Sequence, residues 1–129
     1  MVTQASYLPG LTQSFEVLAS AARTATVNAE IPTEAYSGAI FVIKATVDPG
    51  TASITPHIEG YDPTTGSWYT ILTGAAIASV STVVLRVFPG ATIASNLVAN
   101  DYLPDRIRFR MAVADAESMT YQVGAILLP

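Results

Sequence analysis

Between residues 106 and 113 the chain reads RIRFRMAV, with Ile107, Phe109, Met111 and Val113 alternating with Arg106, Arg108, Arg110 and Ala112. A side-chain period of two is what a strand with one buried and one open face requires, and no helix satisfies it. The stretch SMTYQVGAILL repeats the pattern, with Met119, Tyr121, Val123, Ala125 and Leu127 on one side. The polar, turn-compatible ADAES lies between them, so the two strands are read as a hairpin.

The same alternation runs through much of the chain. AIFVIKATV sets Phe41, Ile43, Ala45 and Val47 against Ile40, Val42, Lys44 and Thr46, and Asp48-Pro49-Gly50 breaks it. ASITPHIEGY follows as a strand whose Pro56 cannot donate a ladder hydrogen bond, which suggests an edge or a bulge. SWYTIL and TVVLRVF are rich in β-branched and aromatic residues and read as further strands. TQSFEVLAS and ARTATVNAE are read as two strands around a turn near Ser20.

In GYDPTTGSWYTIL, Asp62 is placed to accept backbone hydrogen bonds in a turn, Pro63 to preset its second position and Gly66 to take a positive φ. Trp68, Thr70 and Leu72 are expected on one face, with Trp68 as the clamp of the hairpin. About eight short strands with almost no helical signal predict an all-β, single-domain, antiparallel β-sandwich of jelly-roll type. Residues 1–11, with Pro9 and Gly10, are read as an extended N-terminal arm ahead of a domain spanning 12–129.

Only 12% of the 129 residues are charged, against about 25% in an average soluble domain, while 50% are apolar. Either the core is large or part of the outer surface is meant to be covered. Cysteine is absent, so the fold rests on packing rather than on disulfides or thiolate metal sites. A formal net charge of −4 argues against a general nucleic-acid binder. No signal-peptide pattern follows Met1 and no apolar run reaches spanning length, so synthesis in a cytoplasm without membrane insertion is expected.

Chemistry finds little support. His57 is the only imidazole; alternation puts it beside Glu59 and Tyr61, and a surface histidine on a strand is the plainer reading. One histidine and no cysteine leave zinc without a ligand set, and Asp62, Asp101 and Asp105 lack the spacing of a calcium loop. No P-loop, dinucleotide fingerprint or nucleophile elbow is present. The chain is therefore read as non-enzymatic and without cofactor.

Binding is the alternative. Arg106, Arg108 and Arg110 share one strand face at a spacing of about 6.6 to 6.8 Å, either as a row for an acidic partner or as partners of carboxylates on neighbouring strands. Trp68 and Tyr69 raise the option of a carbohydrate-binding module, against a structural role for the tryptophan. The long segments GAAIASVS and PGATIASNLVANDYLPD are of a length that is commonly functional.

Taken in order, ASAARTATVNAE, YSGAIFVIKATVD, ITPHIEGYDPTTGSWYTILTGAAI, VLRVFPG and DRIRFRMAVADAESMTYQVGAILL resemble small β-sandwich structural proteins of tailed bacteriophages, most like capsid decoration (cement) proteins. In that class an S-A-A-R-T segment leads into a YSG strand, a G-x-D-P-x-S/T-G-x-W hairpin and a Y-P-G strand end; here the last reads Phe88-Pro89-Gly90. The resemblance covers most of residues 19–128 and rests on order and spacing. It implies a virion structural protein on the capsid surface, forming homotrimers and binding the major capsid protein, with a tail or adaptor component as the alternative. On this reading Tyr7, Leu8, Pro9 and Leu11, with Arg106, Arg108 and Arg110, are candidates for the capsid contact. Ile77, Val80, Ile93 and Leu97, on the long loops, are candidates for contacts between subunits.

Overall fold

A computed structural model describes residues 11–48, 52–114 and 117–129. Among the described residues nine strands form: β1 (Gln13–Arg23), β2 (Val27–Pro32), β3 (Gly38–Val47), β4 (Ile54–Asp62), β5 (Ser67–Thr73), β6 (Ser81–Val87), β7 (Val98–Ala99), β8 (Arg106–Val113) and β9 (Met119–Leu128). They make a five-stranded sheet ordered β1-β9-β3-β6-β7 and a four-stranded sheet ordered β2-β8-β4-β5. The two-residue β7 apart, consecutive strands mostly alternate between sheets, the arrangement of a jelly-roll sandwich. All pairings are antiparallel except that of β6 with β7.

The inner faces follow the alternation. Phe41, Ile43 and Ala45 of β3, Ile107, Phe109 and Met111 of β8, and Met119, Tyr121, Val123, Ala125 and Leu127 of β9 are all buried. Phe41 and Phe109 stack across the sandwich with ring centres 5.5 Å apart, tying one sheet to the other. Val47 breaks ranks: a register shift after Ala45 leaves it exposed.

Strand neighbours differ from the sequence expectation. β8 and β9 are not a hairpin, because β8 pairs with β2 and β4 while β9 pairs with β1 and β3. Each strand buries one face, and the two buried faces meet across the core instead of lying side by side. The turn expected near Ser20 falls after Arg23: β1 runs through Ser20, absorbing irregularities between Glu16 and Ala21, and β2 lies in the other sheet. Arg23 holds that irregular stretch, its guanidinium donating to the carbonyls of Ala19 at 2.5 Å and Tyr121 at 3.0 Å. Pro49 and Gly50 of the expected break after β3 lie outside the described residues.

Pro56 sits in the interior strand β4, not on an edge. Its carbonyl accepts from Gly74 N at 2.8 Å just past the end of β5, and a side chain at Gly74 would stand 2.6 Å from the proline ring. The β4–β5 hairpin closes on Asp62 and Ser67 as expected, with Gly66 at φ 69°. The carboxylate of Asp62 accepts from Thr64 N at 3.1 Å and from the Thr65 hydroxyl at 2.7 Å. These bonds favour the charged form and hold its pKa below the usual value, the hydroxyl contributing most.

Candidate interaction surface

The outer face of the four-stranded sheet gathers the polar residues of β2, β4, β5 and β8. Register places Arg108 between Glu30 and Glu59, and Arg110 between Asn28 and His57. Arg108 Nε donates to Glu59 at 2.5 Å, and Arg106 Nε donates to Glu30 at 2.7 Å. Both arginines also cover aromatic rings: Arg106 lies 4.4 Å from the Tyr61 ring centre and Arg108 4.4 Å from that of Trp68. Tyr61 and Trp68 pair across the hairpin with centres 4.9 Å apart. Two members of the sequence-derived arginine row are therefore engaged with carboxylates and rings of their own sheet.

Arg110 has no carboxylate within ion-pair distance among the described residues. It faces His57, whose Nδ1 lies 3.3 Å from the Thr73 hydroxyl. Burial, and next the Arg110 charge, push the His57 pKa below its ordinary value against the opposing pull of Glu59. This favours a neutral imidazole held in a hydrogen bond. Among the described residues, no cluster of three His, Asp or Glu side chains forms a metal site.

Trp68 and Tyr69 do not form a common platform. Register jumps from Ile58↔Leu72 to Glu59↔Thr70, so Ile71 is an extra residue, a β-bulge that reverses the faces beyond it. Trp68 and Thr70 consequently share the outer face, while Leu72 is buried on the inner one, contrary to the expectation that all three lie together. The Tyr69 ring lies instead over Gly60, where a Cβ would stand 2.6 Å from its Cζ and 2.9 Å from Pro104. Desolvation, with Asp101 and Asp62 nearby, raises its phenol pKa.

The candidates on the long loops separate into two groups. Ile77 is only 4% exposed and exchanges two backbone hydrogen bonds with Ile54, so it belongs to the core of its own chain and presents nothing to a neighbour. Val80, Ile93 and Leu97 are exposed, as is Tyr102, which sequence reasoning did not single out. The loop that carries Ile93 and Leu97 is fixed in place: Asn96 donates to Thr73 O at 3.0 Å, and Gly90 N donates to Asn100 at 2.8 Å. Of the arm candidates, Tyr7, Leu8 and Pro9 lie outside the described residues, and Leu11 is exposed.

The outer face of the five-stranded sheet is less polar. Ile40, Val42, Val84 and Ile126 adjoin one another there, joined by the pairings Ile40↔Ile126 and Val42↔Val84, and all are only half-buried. No protein-family model and no curated protein sequence matches the chain.

Proposed function

We propose that the chain is a virion structural protein that decorates and stabilises an assembled bacteriophage head, acting as a homo-oligomer on the major capsid protein. The observation that carries this reading is the outward placement of apolar side chains on anchored structure. Val80, Ile93, Leu97 and Tyr102 stand exposed on the connecting segments, and Ile40, Val42, Val84 and Ile126 lie half-buried on an outer sheet face, in a chain with 12% charged residues. Apolar area of this kind gains free energy only when another surface covers it. The order of segments that resembles decoration proteins supplies the identity of that surface, and a non-enzymatic, cofactor-free role on the capsid exterior follows from the same resemblance.

The carbohydrate-binding alternative loses its main support, because Trp68 is capped by arginines and Tyr69 points to the other face. The head and tail readings differ in copy number. The purified chain, mixed with expanded, undecorated heads of the phage that encodes it, is expected to bind to saturation in many copies per particle and to raise the melting temperature of the shell. Absence of binding, or binding with no gain in shell stability, overturns the decoration reading; saturation at a few copies favours a tail or adaptor component.

A further inference from the structure

Gly124 lies in the middle of β9, opposite Glu16 of β1 and Val42 of β3. A glycine inside a strand costs backbone entropy and packs nothing, so its presence calls for a reason. Part of that reason is local, since the register of β1 slips beside Gly124, between Glu16 and Leu18. Gly124 is not among the glycines with positive φ, and a Cβ built on it would meet nothing nearer than the Phe15 carbonyl oxygen at 3.9 Å. Gly38, Gly60 and Gly74 differ, since there a Cβ would collide with the same chain at 2.6 to 2.8 Å. The space over Gly124 is thus left open by its own chain and can take a side chain from outside it.

That space is a shallow groove bordered by Ser14, Glu16, Val42, Lys44, Gln122 and Ile126, and the apolar patch continues onto Ile40 and Val84. Glu16 accepts from the Gln122 amide at 3.1 Å. Lys44 and Arg86 have no carboxylate partner among the described residues. The groove thus fits an apolar knob flanked by carboxylates. The chain carries such a knob: Tyr102 is 70% exposed, Asp101 accepts its N–H at 2.8 Å, and Asp105 is exposed on the same loop.

We propose that Tyr102 of a second copy seats over Gly124, bringing its Asp101 and Asp105 against Lys44 and Arg86. The groove lies on a sheet face between β1 and β3, whereas Tyr102 lies on the segment between β7 and β8, where Leu103 N donates to Ser37 O at 3.3 Å; knob and groove are separate surfaces, and the contact is taken as head-to-tail. A head-to-tail contact of this kind leaves a second groove and knob free and closes into a ring when its rotation permits. The interface deepens the decoration reading by giving its homo-oligomer a specific contact, and rests on that reading only for its biological setting.

Sedimentation of the full chain tests it without a capsid. Wild type is expected to sediment as an oligomer that weakens as salt is raised. Gly124→Val is expected to melt at or a few degrees above wild type and to be monomeric, and Tyr102→Ala to be monomeric as well. An equal mixture of the two variants is expected to form a species of two chains, since one retains the groove and the other the knob. Lys44→Glu, a change on the open face, is expected to weaken association at least tenfold without loss of melting temperature. The proposal is overturned by a monomeric wild type, by a Gly124→Val chain that assembles normally or melts well below wild type, or by a Tyr102→Ala chain that still assembles. Self-association without head binding removes the decoration reading and leaves this interface standing; head binding by a monomer does the reverse.

Discussion

His57 shows how one side chain can report on a whole sheet face. It faces Arg110 of β8, shares its own strand with Glu59, and is bonded to Thr73 of β5. Burial and the Arg110 charge lower its folded pKa, so between that value and the unfolded value of about 6.5 the unfolded chain holds more protons than the folded one. Stability from this group is therefore complete above about pH 6.5 and is lost as pH falls through the folded pKa. The expected outcome is a melting temperature that declines on acidification below neutrality, with a shallower decline in His57→Gln over the same range. Imidazole chemical shifts should titrate with a midpoint under about 6.5; a midpoint above it means that Glu59, not burial and Arg110, governs the site.

At the scale of elements, alternation made the buried faces of β3, β8 and β9 legible, since Phe41, Phe109 and Tyr121 are inward as their spacing demands. It did not make strand partners legible, because a period of two specifies a face and not a neighbour; hence β8 and β9 read as a hairpin although they lie in opposite sheets. Local turn chemistry succeeded where it was self-contained, as with Asp62, Pro63 and Gly66 in the β4–β5 hairpin. The bulge at Ile71 left no such mark, and it decides which face Trp68 occupies. Likewise the arginine row was visible in sequence, but the pairing of Arg106 with Glu30 and of Arg108 with Glu59 depends on β2 and β4 flanking β8. This placement of Trp68 is testable by urea unfolding. Trp68→Ala, which removes an outer-face ring beneath two guanidinium groups, is expected to cost about 1 kcal/mol. Phe109→Ala, which empties a site stacked on Phe41 in the core, is expected to cost about 3 to 5 kcal/mol. Equal losses would return the tryptophan to the core.

For the whole molecule, the order of strands sets how the chain reaches this structure. Among the described residues, only β4 and β5 are consecutive strands paired antiparallel in one sheet, whereas Gln13 pairs with Leu127 and Gly38 with Leu128. β9 sits between β1 and β3, so the five-stranded sheet cannot close until the segment around Met119–Leu128 is in place. Loop-closure entropy must be overcome before these distant pairings return any free energy, which slows folding. Refolding from urea, followed by Trp68 fluorescence, is therefore expected on the millisecond-to-second scale typical of β-sandwiches. The β4–β5 hairpin forms locally on a scale of about microseconds, and a signal confined to that time would report the hairpin alone. Complete recovery of cooperative structure within microseconds would require local contacts to dominate, which the pairing of Gln13 with Leu127 opposes.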